Sequence, residues 1–133
     1  MSFMGARVAV KASNGEYLCI EENDGLLTSG MYDETRHDII FTVPAALSGA
    51  YIQTHTRDLL SIANDGLLKI KSNKESITNN ETFDFICLGM NKVAIRAHNG
   101  KFVSYQKDNN RKLYASSDTI GPEEVFEVIV VFR

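Results

Sequence analysis

One pattern occurs three times along this chain, and that repetition limits the fold more than any other property of the sequence. The first copy reads Val8-Ala9-Val10-Lys11-Ala12-Ser13-Asn14-Gly15-Glu16-Tyr17-Leu18, and the third reads Val93-Ala94-Ile95-Arg96-Ala97-His98-Asn99-Gly100-Lys101-Phe102-Val103. A more worn second copy runs from Ala50-Tyr51-Ile52 through Thr54-His55-Thr56-Arg57-Asp58 to Leu59-Leu60. Each copy closes on a phenylalanine, and Phe41, Phe83 and Phe126 stand 42 and 43 residues apart. The repeats therefore occupy about 6–47, 48–89 and 90–133.

Within a copy the signals are those of short strands. Val8, Val10 and Ala12 alternate with Ala9 and Lys11, the period of a strand with one buried face. Asn14-Gly15 and Asn99-Gly100 lie between apolar runs and predict hairpins with type I′ turns. Tyr17 to Ile20 is the return strand, Leu26 to Ser29 a third, and Ile39 to Val43 a fourth that Pro44 ends. Asp33 to Asp38 reads as a charged loop. In the second copy Asp65-Gly66-Leu67-Leu68 matches Asp24-Gly25-Leu26-Leu27. Four strands in about forty residues leave no room for a long helix.

With 133 residues the chain has material for one domain with its own core. Three such units are too few for a propeller, which needs about four blades to close. They suffice for an all-β barrel of six strands capped by three hairpins, the β-trefoil, which leaves no long exposed edge.

The two Asn-Gly segments, each followed by a closing Phe-x-Val, resemble the fascin-like β-trefoils. Ser117-Asp118-Thr119-Ile120-Gly121-Pro122-Glu123-Glu124-Val125-Phe126 is similar to that family's end-of-repeat motif. The resemblance spans nearly the whole chain and implies the trefoil fold. It also implies a non-enzymatic module of the kind found in actin-bundling fascins and single-domain hisactophilins, with actin filaments as a partner. The chain departs from trefoil relatives in three ways. It has no tryptophan, so the Gln-x-Trp motif of ricin-type lectins is missing. It has only His37, His55 and His98, too few for a histidine-driven charge switch. It carries one trefoil where bundling fascins carry several, so cross-linking would need a dimer or two actin sites.

Charge narrows the partner. The net charge of −3 argues against nonspecific nucleic-acid binding, yet the first repeat is acidic and the third basic. Where the other repeats have a short turn, the third has Lys107-Asp108-Asn109-Asn110-Arg111-Lys112. With Lys101, the cations Lys107, Arg111 and Lys112 form a candidate surface for an acidic protein partner or an anionic lipid surface. The acidic loop at 33–38 is a weaker candidate for a complementary contact. An alternative is a carbohydrate-binding lectin using turn residues Asp24, Asp65, Asp108 and Asn109, although tight turns need Asp-Gly for backbone reasons alone.

No catalytic or metal constellation emerges. Cys19 aligns with Ser61 and Ser104, which reads as a tolerated strand position and not a poised nucleophile. His55 and His98 flank equivalent turns without carboxylates or thiols at ligand spacing. No cofactor is expected. Two cysteines, Cys19 and Cys87, suit thiols in a reducing compartment, with a single bridge left open. The first residues lack the basic start and apolar run of a secretory signal, so a cytoplasmic monomer or weak dimer is the expectation.

Overall fold

The computed structural model describes residues 6–21, 26–28, 40–43, 48–72, 74–106 and 112–131. Among them lie eleven strands: β1 (Ala6–Lys11), β2 (Leu18–Ile20), β3 (Leu26–Thr28), β4 (Ile40–Val43), β5 (Leu59–Ile62), β6 (Leu68–Lys71), β7 (Phe83–Gly89), β8 (Lys92–Ala97), β9 (Phe102–Tyr105), β10 (Leu113–Ser117) and β11 (Phe126–Val130). Single 3-10 turns at Asn79–Glu81 and Pro122–Glu124 precede the closing strands of the second and third repeats. The expected loop at 33–38 lies outside the described residues.

Six segments close a ring by antiparallel pairing. β4 pairs β1, β1 pairs β11, β11 pairs β8 and β8 pairs β7. The worn second copy completes the circuit with bridges instead of a full strand, Ala50 opposite Phe83 on one side and Gln53 opposite Thr42 on the other. Each bridge exchanges two backbone hydrogen bonds of 2.8–2.9 Å. The pairs β2–β3, β5–β6 and β9–β10 form the three hairpins outside this ring. This is the β-trefoil, with the internal repeat expressed as three-fold symmetry.

Side chains from the three repeats meet in matched sets. Phe41, Phe83 and Phe126 are fully buried, and Val10, Ile52 and Ile95 join them, as do Leu18, Leu60 and Val103. Each such side chain contributes about 1.5–3 kcal/mol by leaving water, so the worn second copy keeps its apolar positions even where it loses strand pairing. One expectation fails here. Val8, Ala9 and Val10 are all buried, because Ala9 packs with Cys19, Tyr17 and Val131 in a second cluster on the outer side of the barrel.

The hairpin turns also differ from the type I′ geometry expected. In residues 12–16, 54–58, 63–67 and 97–101 the first residue's N–H donates to the carbonyl four residues on, at 2.8–2.9 Å. The fourth residue's N–H returns to the first carbonyl at 2.9–3.0 Å. Only that fourth residue is left-handed: Gly15 at φ 87°, Arg57 at 70°, Gly66 at 90° and Gly100 at 83°. This is a three-residue loop with a single left-handed residue, not the two that type I′ requires. Asn14, Asp65 and Asn99 instead act through their side chains, each accepting the N–H two residues on at 2.9–3.1 Å.

Pairing corrects the register of the second turn as well. Ile20 faces Leu26 as Ile62 faces Leu68 and Tyr105 faces Leu113. Leu26 therefore corresponds to Leu68, and the two Asp-Gly dipeptides are offset by one residue. Gly66 sits directly on β10: its carbonyl accepts the Ala115 N–H at 2.7 Å.

Candidate functional site

Two places collect polar chemistry. The first is the third-repeat corner. Lys101 follows the Asn99-Gly100 turn and forms an ion pair with Asp118, so its charge is compensated locally. Lys112 immediately precedes β10, half-buried, and its carbonyl accepts the Gln106 N–H at 3.2 Å. That bond draws the two ends of the basic segment together. Lys107, Asp108, Asn109 and Arg111 lie outside the described residues, as does Asp24. Of the expected sugar-binding residues only Asp65 is described, and its carboxylate caps the turn by accepting the Leu67 N–H.

The second place was not anticipated. A polar cleft of about 360 Å3 lies between the β5–β6 hairpin and residues 75–81, lined by Asn64, Lys69, Lys71, Glu75, Asn80 and Glu81 among others. Its floor is the Glu81 carboxylate, which is fully buried. Oε2 accepts the Ser61 hydroxyl at 2.5 Å. Oε1 accepts the Thr78 N–H at 2.6 Å, the Thr78 hydroxyl at 3.0 Å and Lys71 Nζ at 3.1 Å. Burial alone would raise this carboxyl's pKa, but the four donors together outweigh it and hold the group below its ordinary value. The carboxylate thus ties the 3-10 turn to the hairpin.

The third repeat builds the same tie with fewer parts. Glu124 Oε2 accepts the Ser104 hydroxyl at 2.5 Å and Oε1 accepts the Gly121 N–H at 2.6 Å. The first repeat has Cys19 where Ser61 and Ser104 stand, and by sequence Ile39 where the glutamates stand, with Ile39 outside the described residues. Both members of the polar pair are thus replaced together, as expected if neither is tolerated without the other. The shared spacing of Ser61–Glu81 and Ser104–Glu124 was the available sequence signal.

Asp84 forms a smaller junction. The Gly49 N–H, at 2.8 Å, lowers its carboxyl pKa most; burial opposes this, and Arg96 and Ser48 add to the lowering. His55 and His98 are exposed in their turns, and among the described residues no group of three or more His, Cys, Asp or Glu side chains is placed to hold a metal ion. Cys19 and Cys87 are not joined in a disulfide. Among the described residues no helix is long and apolar enough to cross a membrane.

Comparison with known proteins agrees with this architecture. The fascin-domain family model matches residues 30–128, well over half of the chain. No curated protein sequence matches significantly. Among solved structures, the designed three-fold symmetric protein ThreeFoil superposes with a TM-score of 0.75 at 14% identity, covering 92% of this chain and 97% of ThreeFoil. The GlcNAcα1-4Gal-releasing endo-β-galactosidase of Clostridium perfringens superposes with a TM-score of 0.77 at 12% identity. That alignment covers 96% of this chain and only 33% of the galactosidase. At such identities these likenesses concern the fold alone.

Proposed function

Because the chain belongs to the fascin-domain family, we propose that it is a non-enzymatic, cytoplasmic binding module for an acidic protein partner, with the actin filament as first candidate. The family match over residues 30–128 carries this reading. The gripping residues are Lys107, Arg111 and Lys112, on a segment whose ends meet at the Gln106–Lys112 backbone bond. Lys101 contributes less than its position in the sequence suggests, since Asp118 already neutralises it. A short cationic loop accelerates encounter with an acidic surface and loses strength as salt screens it. Cosedimentation with filamentous actin at low and moderate salt tests the reading. Pelleting that weakens with salt supports it, and no pelleting at either salt removes it.

A second reading is favoured by the polar cleft. Asn64, Lys69 and Asn80 are exposed around it and offer amide and ammonium donors suited to sugar hydroxyls. This reading relocates a lectin site from Asp65, which caps its own turn, to the neighbouring cleft. A glycan array that stays blank while actin pelleting succeeds would eliminate it.

A further inference from the structure

We propose that the barrel axis holds a binding site for a small, uncharged apolar molecule about one aromatic ring in size. A cavity of about 170 Å3 runs along the axis and, among the described residues, is lined by apolar side chains alone, including Val8, Phe41, Ile52, Phe85, Val93 and Val128. Such a space is dry, because a water needs two to four polar partners and this lining offers none. A cavity of about 150 Å3 lined by Leu, Ile and Phe is known to take benzene or xenon, so one ring matches the volume here.

The two ends of the cavity differ. At one end Leu18, Leu60 and Val103, all buried, close it beneath the hairpins. At the other, Val43, Phe85, Val93 and Val128 are only partly buried. Val128 donates its N–H to Asn91 in the β7–β8 connection, which places this end opposite the Ala97–Lys101 turn. Val130 lies across from Val8 and so shares its inward face. It is 54% exposed, and Met90 at the tip of the β7–β8 connection is 89% exposed. The open end thus carries an apolar lip, against which an apolar guest sheds its hydration shell favourably on entry.

The lining also sets the specificity. A charged or polyhydroxylated molecule would leave its polar groups unpaired. A fused ring system or long chain exceeds the volume. This site is independent of the partner reading above, since none of its lining residues belongs to the basic loop or to the polar cleft.

Benzene titration followed by thermal unfolding is the test. Wild type should show a rise in Tm of about 5 °C at about ten times Kd that goes on growing with the logarithm of benzene concentration, and phenol should bind at least about tenfold more weakly. Val128→Phe, which fills the open end, should abolish the benzene shift. No shift in wild type, equal binding of phenol, or an equal shift in the variant would each overturn the proposal. Should Val128→Phe fail to fold, xenon-pressurised wild-type crystals decide: density on the barrel axis supports the site, and density only elsewhere refutes it.

Discussion

Replacing Glu81 by Gln changes one atom in the floor of the polar cleft and tests whether the charge itself holds the 3-10 turn to the hairpin. The side chain keeps its shape, but the two Thr78 bonds lose a charged acceptor and the Lys71 ammonium is left with a neutral partner. The Ser61 hydroxyl must turn to accept from the new amide NH2, so all four contacts weaken. Each such change costs about 1 kcal/mol, the difference between hydrogen bonds to charged and to neutral groups. Against roughly 4 kcal/mol lost stands the easier burial of an amide, which returns about 2 kcal/mol. The net destabilisation near neutral pH is therefore about 2 kcal/mol. Urea unfolding of both proteins across pH provides the assay. Because the folded-state pKa of Glu81 lies below its ordinary value of 4.5, its contribution is complete above that value and disappears as the pH falls through the folded one. The gap between wild type and Glu81→Gln should therefore close on acidification. A variant as stable as wild type at neutral pH, or a gap that persists unchanged in acid, would refute the reasoning.

Arg57 occupies a left-handed position that glycine fills in the other two repeats. Arg57→Gly relieves about 1–2 kcal/mol of backbone strain and loses about 0.5–1 kcal/mol to greater chain entropy, so Tm should rise by about 3 °C. Gly66→Ala should cost about 3 kcal/mol, since the new methyl would lie 2.7 Å from the Ala115 carbonyl oxygen at a φ of 90°. Gly15→Ala, with open space around the same conformation, should cost only about 1 kcal/mol; equal losses at the two sites in urea unfolding would contradict the close approach of Gly66 to β10. Glu124→Gln removes the charge from a tie with two donors, so by the same accounting about 2 kcal/mol lost against about 2 kcal/mol returned leaves its net loss at neutral pH close to zero, well below that of Glu81→Gln.

The fold was legible because apolar positions and turn residues act locally and repeat. Phe41, Phe83 and Phe126 marked the closing strands, and the Asn-Gly dipeptides marked two of the turns. The turn type was not legible, because Asn14 and Asn99 serve equally as left-handed residues or as side-chain caps, and strand twist with flanking hydrogen bonds selects the latter. The one-residue offset between Asp24-Gly25 and Asp65-Gly66 was hidden by identical dipeptides. Only the pairing of Ile20 with Leu26 and Ile62 with Leu68 separates them. Glu81 and Glu124 escaped notice because a glutamate ordinarily reads as solvated surface. Their burial depends on serines twenty residues earlier, a contact that only the barrel brings about. Lys101 looked free for the same reason: Asp118 reaches it from seventeen residues away, across the β9–β10 hairpin.

The central functional claim is that three cations of one loop grip an acidic partner. Actin cosedimentation of wild type beside the triple variant Lys107→Glu, Arg111→Glu, Lys112→Glu tests it most directly, with far-UV circular dichroism confirming that both are folded. Wild type should pellet with filaments at low salt, and the triple variant should bind at least about tenfold more weakly. Equal pelleting of the two folded proteins would contradict the account.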